Sequence, residues 1–193
     1  MTVLASPAVP EVDVTTWYLQ MTDPAQVAPA PEPNPELEVR RVELPSPELS
    51  RALYAGVGAD WYWMERLVWT WGRWQEHLAR DEVETWVGSV RGTPAGFFEL
   101  EHRDDAVELT CFGLLPAFIG RGLGPRLLDA AVRRAWERGP RRVWLHTCSL
   151  DGPAALRTYR RRGFEIYDER TERMPLPDRP PEPWPGAERP LTP

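Results

Sequence analysis

The stretch best suited to chemistry runs from Leu114 to Pro125, where an apolar strand end passes through Ile119-Gly120-Arg121-Gly122-Leu123-Gly124-Pro125 into an apolar-striped helix. Glycines let a backbone approach a ligand closely, and the unbonded N–H groups of a first helical turn, aided by the helix dipole, attract an anion. The loop is read as a pyrophosphate cradle, with Arg121 adding charge. Pro125 costs little there, because a first-turn residue has no intrahelical N–H bond to lose. The Gly-x-Gly-x-Gly spacing misses the Gly-x-Gly-x-x-Gly of dinucleotide folds, and no Gly-Lys-Ser/Thr ending follows.

Two titratable residues sit in apolar runs. Glu108, in Val107-Glu108-Leu109-Thr110-Cys111-Phe112, interrupts a strand that is apolar on both faces. A carboxylate buried there without a partner is costly and is driven toward the proton-accepting range. His146, in Val143-Trp144-Leu145-His146-Thr147-Cys148, is the rival base, since imidazole titrates near neutral pH. His77 and His102 are read as surface or turn residues, and most of Arg157, Arg160, Arg161 and Arg162 as a solvated helix face.

These groups need a scaffold, and the patterning supplies one. Val14–Met21 and Leu37–Leu44 read as strands; Ser46-Pro47 opens a helix ending near Gly56, and a second helix starts near Thr70. Val83–Val90 and Pro94–Glu101 form a hairpin about Arg91-Gly92, and Ala106–Leu115 continues the meander. The stripe Leu123, Leu127, Leu128, Ala131, Val132, Ala135, Trp136 marks a helix closed by Gly139-Pro140. A strand at Arg142–Cys148, a helix at Pro153–Arg162 and a strand at Phe164–Arg173 complete the order β-β-α-α-β-β-β-α-β-α-β. That order specifies an α/β fold, a mixed sheet with helices on both faces.

Composition narrows the functional classes. The chain has 193 residues and 22 prolines, which cluster at 24–35 and 175–193. The division expected is an extension over 1–35 with an added strand and a Pro-rich linker, a domain over 36–174, and a Pro-rich tail over 175–193. A net charge of −6 argues against general nucleic-acid affinity. Cys111 and Cys148 have neither disulfide-framework nor zinc spacing, so no metal is expected and a reducing compartment fits. With no signal segment and no long apolar run, the expectation is a soluble cytoplasmic protein, monomer or homodimer, with no membrane partner.

The glycine loop resembles motif A of the GNAT N-acetyltransferases: Leu114-x-Pro116 matches the strand end and Arg121-Gly122-Leu123-Gly124 the loop, with Ile119 where Gln or Arg is usual. Ala155-x-x-x-Tyr159-x-x-x-Gly163-Phe164 resembles the family's second motif, with Gly152 where Asn is common. The resemblance covers roughly residues 37 to 174. It implies the GNAT acyl-CoA N-acyltransferase fold and acetyl-CoA as donor, bound at Leu114, Leu115 and residues 119–125 where two strands splay near Leu114. It further implies Tyr159 as the acid that protonates the leaving thiolate, and Glu108 as a base; His146 stays the rival on its own chemistry. The acceptor expected is a primary amine of a small molecule or peptide, with the aromatic run Asp60–Trp71 beside its pocket. A non-catalytic acyl-CoA-binding module is the competing class.

Overall fold

The computed structural model describes residues 10–32, 36–177 and 179. The first nine residues and nearly all of the Pro-rich tail lie outside them.

Seven strands form one sheet in the order β2-β3-β4-β5-β6-β1-β7. In chain order these are β1 (Glu11–Met21), β2 (Leu37–Arg41), β3 (Val83–Val90), β4 (Thr93–Arg103), β5 (Ala106–Leu114), β6 (Arg142–Cys148) and β7 (Glu165–Pro175). The helices are α1 (Pro47–Gly58), α2 (Trp71–Leu78), α3 (Gly124–Trp136) and α4 (Ala155–Arg162). The element order is the one the sequence specifies, with ends displaced by up to three residues. Ser46 and Thr70 are N-caps, accepting from the N–H groups of Leu49 and Arg73, so the second helix starts one residue after Thr70.

Alternation along the strands sorts side chains into two layers. Leu19, Met21, Phe98, Leu100, Val107, Leu109, Val143 and Leu145 bury one face under α3 and α4. The α3 stripe of Leu127, Leu128, Ala131, Val132 and Ala135 is buried throughout, as its 3.6-residue spacing requires. On the other face Leu53, Tyr54 and Val57 of α1 meet Trp74 and Leu78 of α2 over Phe97 and Cys111. The helix α4 ends at Gly163, where φ is 112° and a Cβ would come 2.0 Å from the Gln26 carbonyl oxygen. Only glycine fits there.

The N-terminal strand enters between β6 and β7, one strand in from the edge of the sheet. β1 runs antiparallel to both β6 and β7, and β7 joins the sheet through β1. Within the Pro-rich connection, Asp23 and Gln26 form a capping box around the short turn Pro24–Gln26.

Candidate active site

Among the described residues the one parallel pairing joins β5 to β6, and it lasts for three registers: Ala106 with Arg142, Val107 with Val143, Glu108 with Trp144. Beyond Glu108 the strands part while β5 continues along β4 to Leu114. The opening therefore begins well before Leu114, the place the family resemblance implies. Its local cause is a β-bulge: Cys111 pairs with Glu99 and Leu109 with Leu100, leaving Thr110 extra. A bulge increases local twist and turns a strand away from its neighbour. Along β5 alternate N–H groups point the same way; because the Leu115 N–H bonds Ala95 O of the β4 side, those of Leu114 and Phe112 face the open wedge.

At the top of the wedge lies the glycine loop. The short turn Pro116–Phe118 uses the Ile119 N–H on Pro116 O, so that amide, expected in the cradle, is already engaged. The next five N–H groups, of Gly120, Arg121, Gly122, Leu123 and Gly124, have no acceptor among the described residues. Positive φ at Gly120 (80°) and Gly122 (70°) turns these amides into one concavity at the α3 N-terminus, the arrangement that holds a phosphate. A Cβ at Gly120 would meet nothing within 4 Å, so the space in front of the loop is open. Pro125 occupies the first turn as expected. Arg121 is exposed and packs over the Phe118 ring at 5.3 Å. Arg126 holds the loop from behind, donating to the Gly122 carbonyl and, at 2.6 Å, to Glu32 O.

Glu108 and His146 meet at the point of the wedge. Their closest atoms, Oε1 and Nδ1, are 3.6 Å apart, an ion-pair separation rather than a tight hydrogen bond. Glu108 is 7 % exposed, while the His146 side chain is 49 % exposed. Contact with the Glu108 carboxylate raises the proton affinity of His146 against the opposing effect of its partial burial, and Asp151 and Glu65 add to the rise. Asp151 closes the end of β6: its Oδ2 accepts from Thr147 Oγ1 at 2.6 Å and from the Cys148 N–H at 3.0 Å. Its Oδ1 lies 3.4 Å from Trp63 Nε1, and Trp61 lies against Gly152. The aromatic run between α1 and α2 is thereby brought across to the β6–α4 loop, with Trp63 half-buried against Tyr54 and Phe97.

Tyr159 stands on the opposite side of the wedge. It is 7 % exposed, with its ring edge-on to Phe112 and Phe164. Burial above all, then the negative charge of Asp151, pushes its proton affinity up, so the phenol stays protonated.

Several residues depart from the sequence-based expectations. His77 and His102 are not surface groups: His77 Nε2 lies 3.0 Å from Glu99 Oε1, and His102 faces the buried Glu84 at 3.6 Å. Arg162 is not on a solvated face; it is 5 % exposed, paired with Asp129, and donates to Pro29 O. Sequence reasoning missed Glu99, whose Oε1 receives Arg66 at 2.8 Å and Thr110 Oγ1 at 2.8 Å as well as His77. The signal was available, since Phe97-Phe98-Glu99-Leu100 poses the same question of a carboxylate in an apolar strand as Glu108 does. Asp151 was missed because its role depends on where a loop crosses the sheet.

A partly open hollow of about 140 Å³ lies elsewhere, between β2, β3 and the near ends of α1 and α2, lined by Ser46, Ser50, Arg80 and Thr85 among others. It contains none of the free amides, so the wedge and its loop are the better candidate on chemical grounds.

The sequence profile of the acetyltransferase (GNAT) family matches residues 44–164. The chain belongs to that family. A GCN5-related N-acetyltransferase from Sphaerobacter thermophilus superposes with a TM-score of 0.63 at 20 % identity, over 86 % of this chain and 53 % of that one. A second, from Kribbella flavida, gives 0.60 at 20 % identity, over 82 % and 57 %. In sequence the chain is 30 % identical over 115 residues to an uncharacterized N-acetyltransferase of Methanocaldococcus jannaschii, covering 56 % of this chain and 50 % of that protein. It is 31 % identical over 123 residues to a mycothiol acetyltransferase of Corynebacterium aurimucosum, covering 61 % and 36 %. The chain thus spans half or less of the length of these curated relatives. The family profile begins after β1 and β2 and ends before β7, so the sheet here is completed by strands outside the matched region. No described helix is long and apolar enough to cross a membrane.

Proposed function

We propose that this GNAT domain moves an acetyl group from acetyl-CoA to a primary amine by direct attack. The observation that carries the reading is the run of five amides from Gly120 to Gly124 that have no acceptor among the described residues, placed at the open end of the parallel β5–β6 pair. Acetyl-CoA supplies an activated acetyl group on sulfur. The amides of residues 120–124 and the α3 dipole hold its diphosphate, with Arg121 within reach of the same charge. The Phe112 and Leu114 N–H groups point into the wedge and donate to the thioester oxygen, where negative charge grows during transfer.

The attacking nitrogen must be uncharged. Glu108, or His146 beside it, takes the amine proton; the new C–N bond forms as C–S breaks, and the Tyr159 hydroxyl gives its proton to the departing sulfur. A phenol held protonated by burial suits a donor in that role. His146 carries the opposite tendency: a raised proton affinity keeps more of it charged at neutral pH, so Glu108 is the base favoured there, acting directly or through water. Curated and solved relatives include a mycothiol acetyltransferase and an aminoglycoside acetyltransferase from an uncultured soil metagenomic sample, solved with sisomicin, which supports a small-molecule acceptor. The test is thiol release from acetyl-CoA across a panel of amines, with cofactor binding measured by calorimetry. Binding with amine-dependent release is expected; binding without release from any amine would make the domain a non-catalytic acyl-CoA binder.

A further inference from the structure

α1 and α2 pack on β3, β4 and β5, leaving the same face of β6, β1 and β7 with no described helix over it. An uncovered sheet face in water usually carries small polar or charged side chains. Here it carries planar groups in one continuous chain of contacts. Trp144 and His146 on β6 have ring centroids 6.4 Å apart; His146 and Tyr18 of β1 are 6.0 Å apart; Tyr18 and Tyr167 of β7 are 6.2 Å apart. Two guanidinium planes extend it: Arg142 lies 4.5 Å from the Tyr167 centroid and 5.4 Å from that of Trp144, and Arg170 lies 5.1 Å from that of Tyr18. Tyr167 is 43 % exposed, so the surface is open to solvent.

This platform is continuous with the reaction centre, because His146 belongs to both: its Nδ1 lies 3.6 Å from Glu108 Oε1 and its ring centroid 6.0 Å from that of Tyr18. Tyr18 and His146 are direct partners in the β1–β6 register. The α1–α2 connection reaches the same end of β6, where Trp63 Nε1 lies 3.4 Å from Asp151 Oδ1, so the platform and the aromatic run border the reaction centre from two sides. Arg142, Trp144 and His146 lie within the family-matched residues 44–164, whereas Tyr18, Tyr167 and Arg170 lie outside them.

We infer that the N-terminal strand builds an acceptor subsite through Tyr18, and that the amine acylated at Glu108 and His146 carries a planar aromatic body that lies on the Tyr18–Tyr167 surface. Aromatic and guanidinium planes stack on flat π-systems better than on puckered aliphatic rings of the same size. The inference rests on the acetyltransferase reading and deepens it.

The experiment compares 2-phenylethylamine with 2-cyclohexylethylamine, matched in tether and bulk but not in planarity, on the full chain and on Tyr18→Ala and Tyr18→Phe. Acetyl-CoA binding is measured in parallel, with sedimentation to report self-association. The expected result is a KM for the phenyl amine about tenfold below that for the cyclohexyl amine, a difference erased in Tyr18→Ala and kept in Tyr18→Phe, with cofactor affinity unchanged. Equal KM values in the unaltered chain, a preference that survives Tyr18→Ala, or bound cofactor with neither amine acylated would each overturn the subsite. So would a dimer that Tyr18→Ala dissociates, because a second copy would then occupy this face. Failure to bind acetyl-CoA would instead remove the acetyltransferase reading beneath it.

Discussion

Glu108 occupies the last position at which β5 is still paired with β6, and its Oε1 lies 3.6 Å from the Nδ1 of His146, the first outward-facing residue beyond that pairing. The two are held at this separation by strands that diverge immediately afterwards, so Glu108 is buried and the His146 side chain about half exposed. The proton of an incoming amine has two neighbouring acceptors, and their order of use is measurable.

Glu108→Gln removes the favoured base while keeping shape, and turnover should fall by about a hundredfold or more, with acetyl-CoA affinity nearly unchanged. The pH profile distinguishes the two candidates. If His146 were the base, activity would rise with pH through a value above that of ordinary histidine, since contact with Glu108 raises its proton affinity, and His146→Gln would abolish that limb. The account predicts that His146→Gln leaves the principal acidic limb in place.

Tyr159→Phe isolates the hydroxyl. The ring packs against Phe112 and Phe164, and phenylalanine preserves that packing, so thermal stability should change little. Turnover should drop by about tenfold to a hundredfold with near-normal cofactor affinity. Unchanged turnover would take Tyr159 out of the mechanism.

The Glu99 carboxylate predicts an acid-stability signature. Burial works to raise its pKa, but the hydrogen bond from His77 and the charge and hydrogen bond of Arg66 outweigh it and hold the group at about 2, against an ordinary 4.5. A depressed folded-state pKa stabilises above the unfolded value and is lost as the group is protonated. Unfolding free energy should therefore fall as pH drops from about 4.5 toward 2, as measured by denaturant titrations at a series of pH values. Glu99→Gln should flatten that slope and cost about 3–5 kcal/mol at neutral pH, because it leaves the Arg66 guanidinium buried without its countercharge. Glu84, likewise held at about 2, should account for part of the slope that remains.

How much of this was legible in the sequence depends on the range of the forces involved. Local signals carried the order of elements: the α3 stripe, the Ser46 and Thr70 caps and the Arg91-Gly92 turn each state their structure within a few residues. The glycine loop was legible for the same reason, since its free amides follow from chain geometry alone. Pairings between distant segments were not. Nothing in Val14–Met21 says that the strand enters between β6 and β7 rather than at an edge, and that choice is what places Tyr18 beside His146. Arg162, His77 and His102 were misjudged because burial of a charged group depends on partners, here Asp129, Glu99 and Glu84, that lie 22 or more residues away or on another element.

Because β7 reaches the sheet through β1, the N-terminal strand should be indispensable. Deleting residues 1–21 removes the partner of β7 and the antiparallel neighbour of β6, and uncovers the core positions filled by Leu19 and Met21, both fully buried. The truncated chain should lose its cooperative thermal transition by circular dichroism. A transition within a few degrees of the full chain would show that the strand is an accessory.

The most direct test of the central claim is an amide-resolved NMR titration with coenzyme A. The five unpaired N–H groups of residues 120–124 should move most and saturate together, while the engaged Ile119 amide moves less; Gly120→Ala, which fits sterically but strains a φ of 80°, should weaken binding by about tenfold. Coenzyme A at saturating concentration leaving the Gly120–Gly124 resonances in place would contradict the account at its foundation.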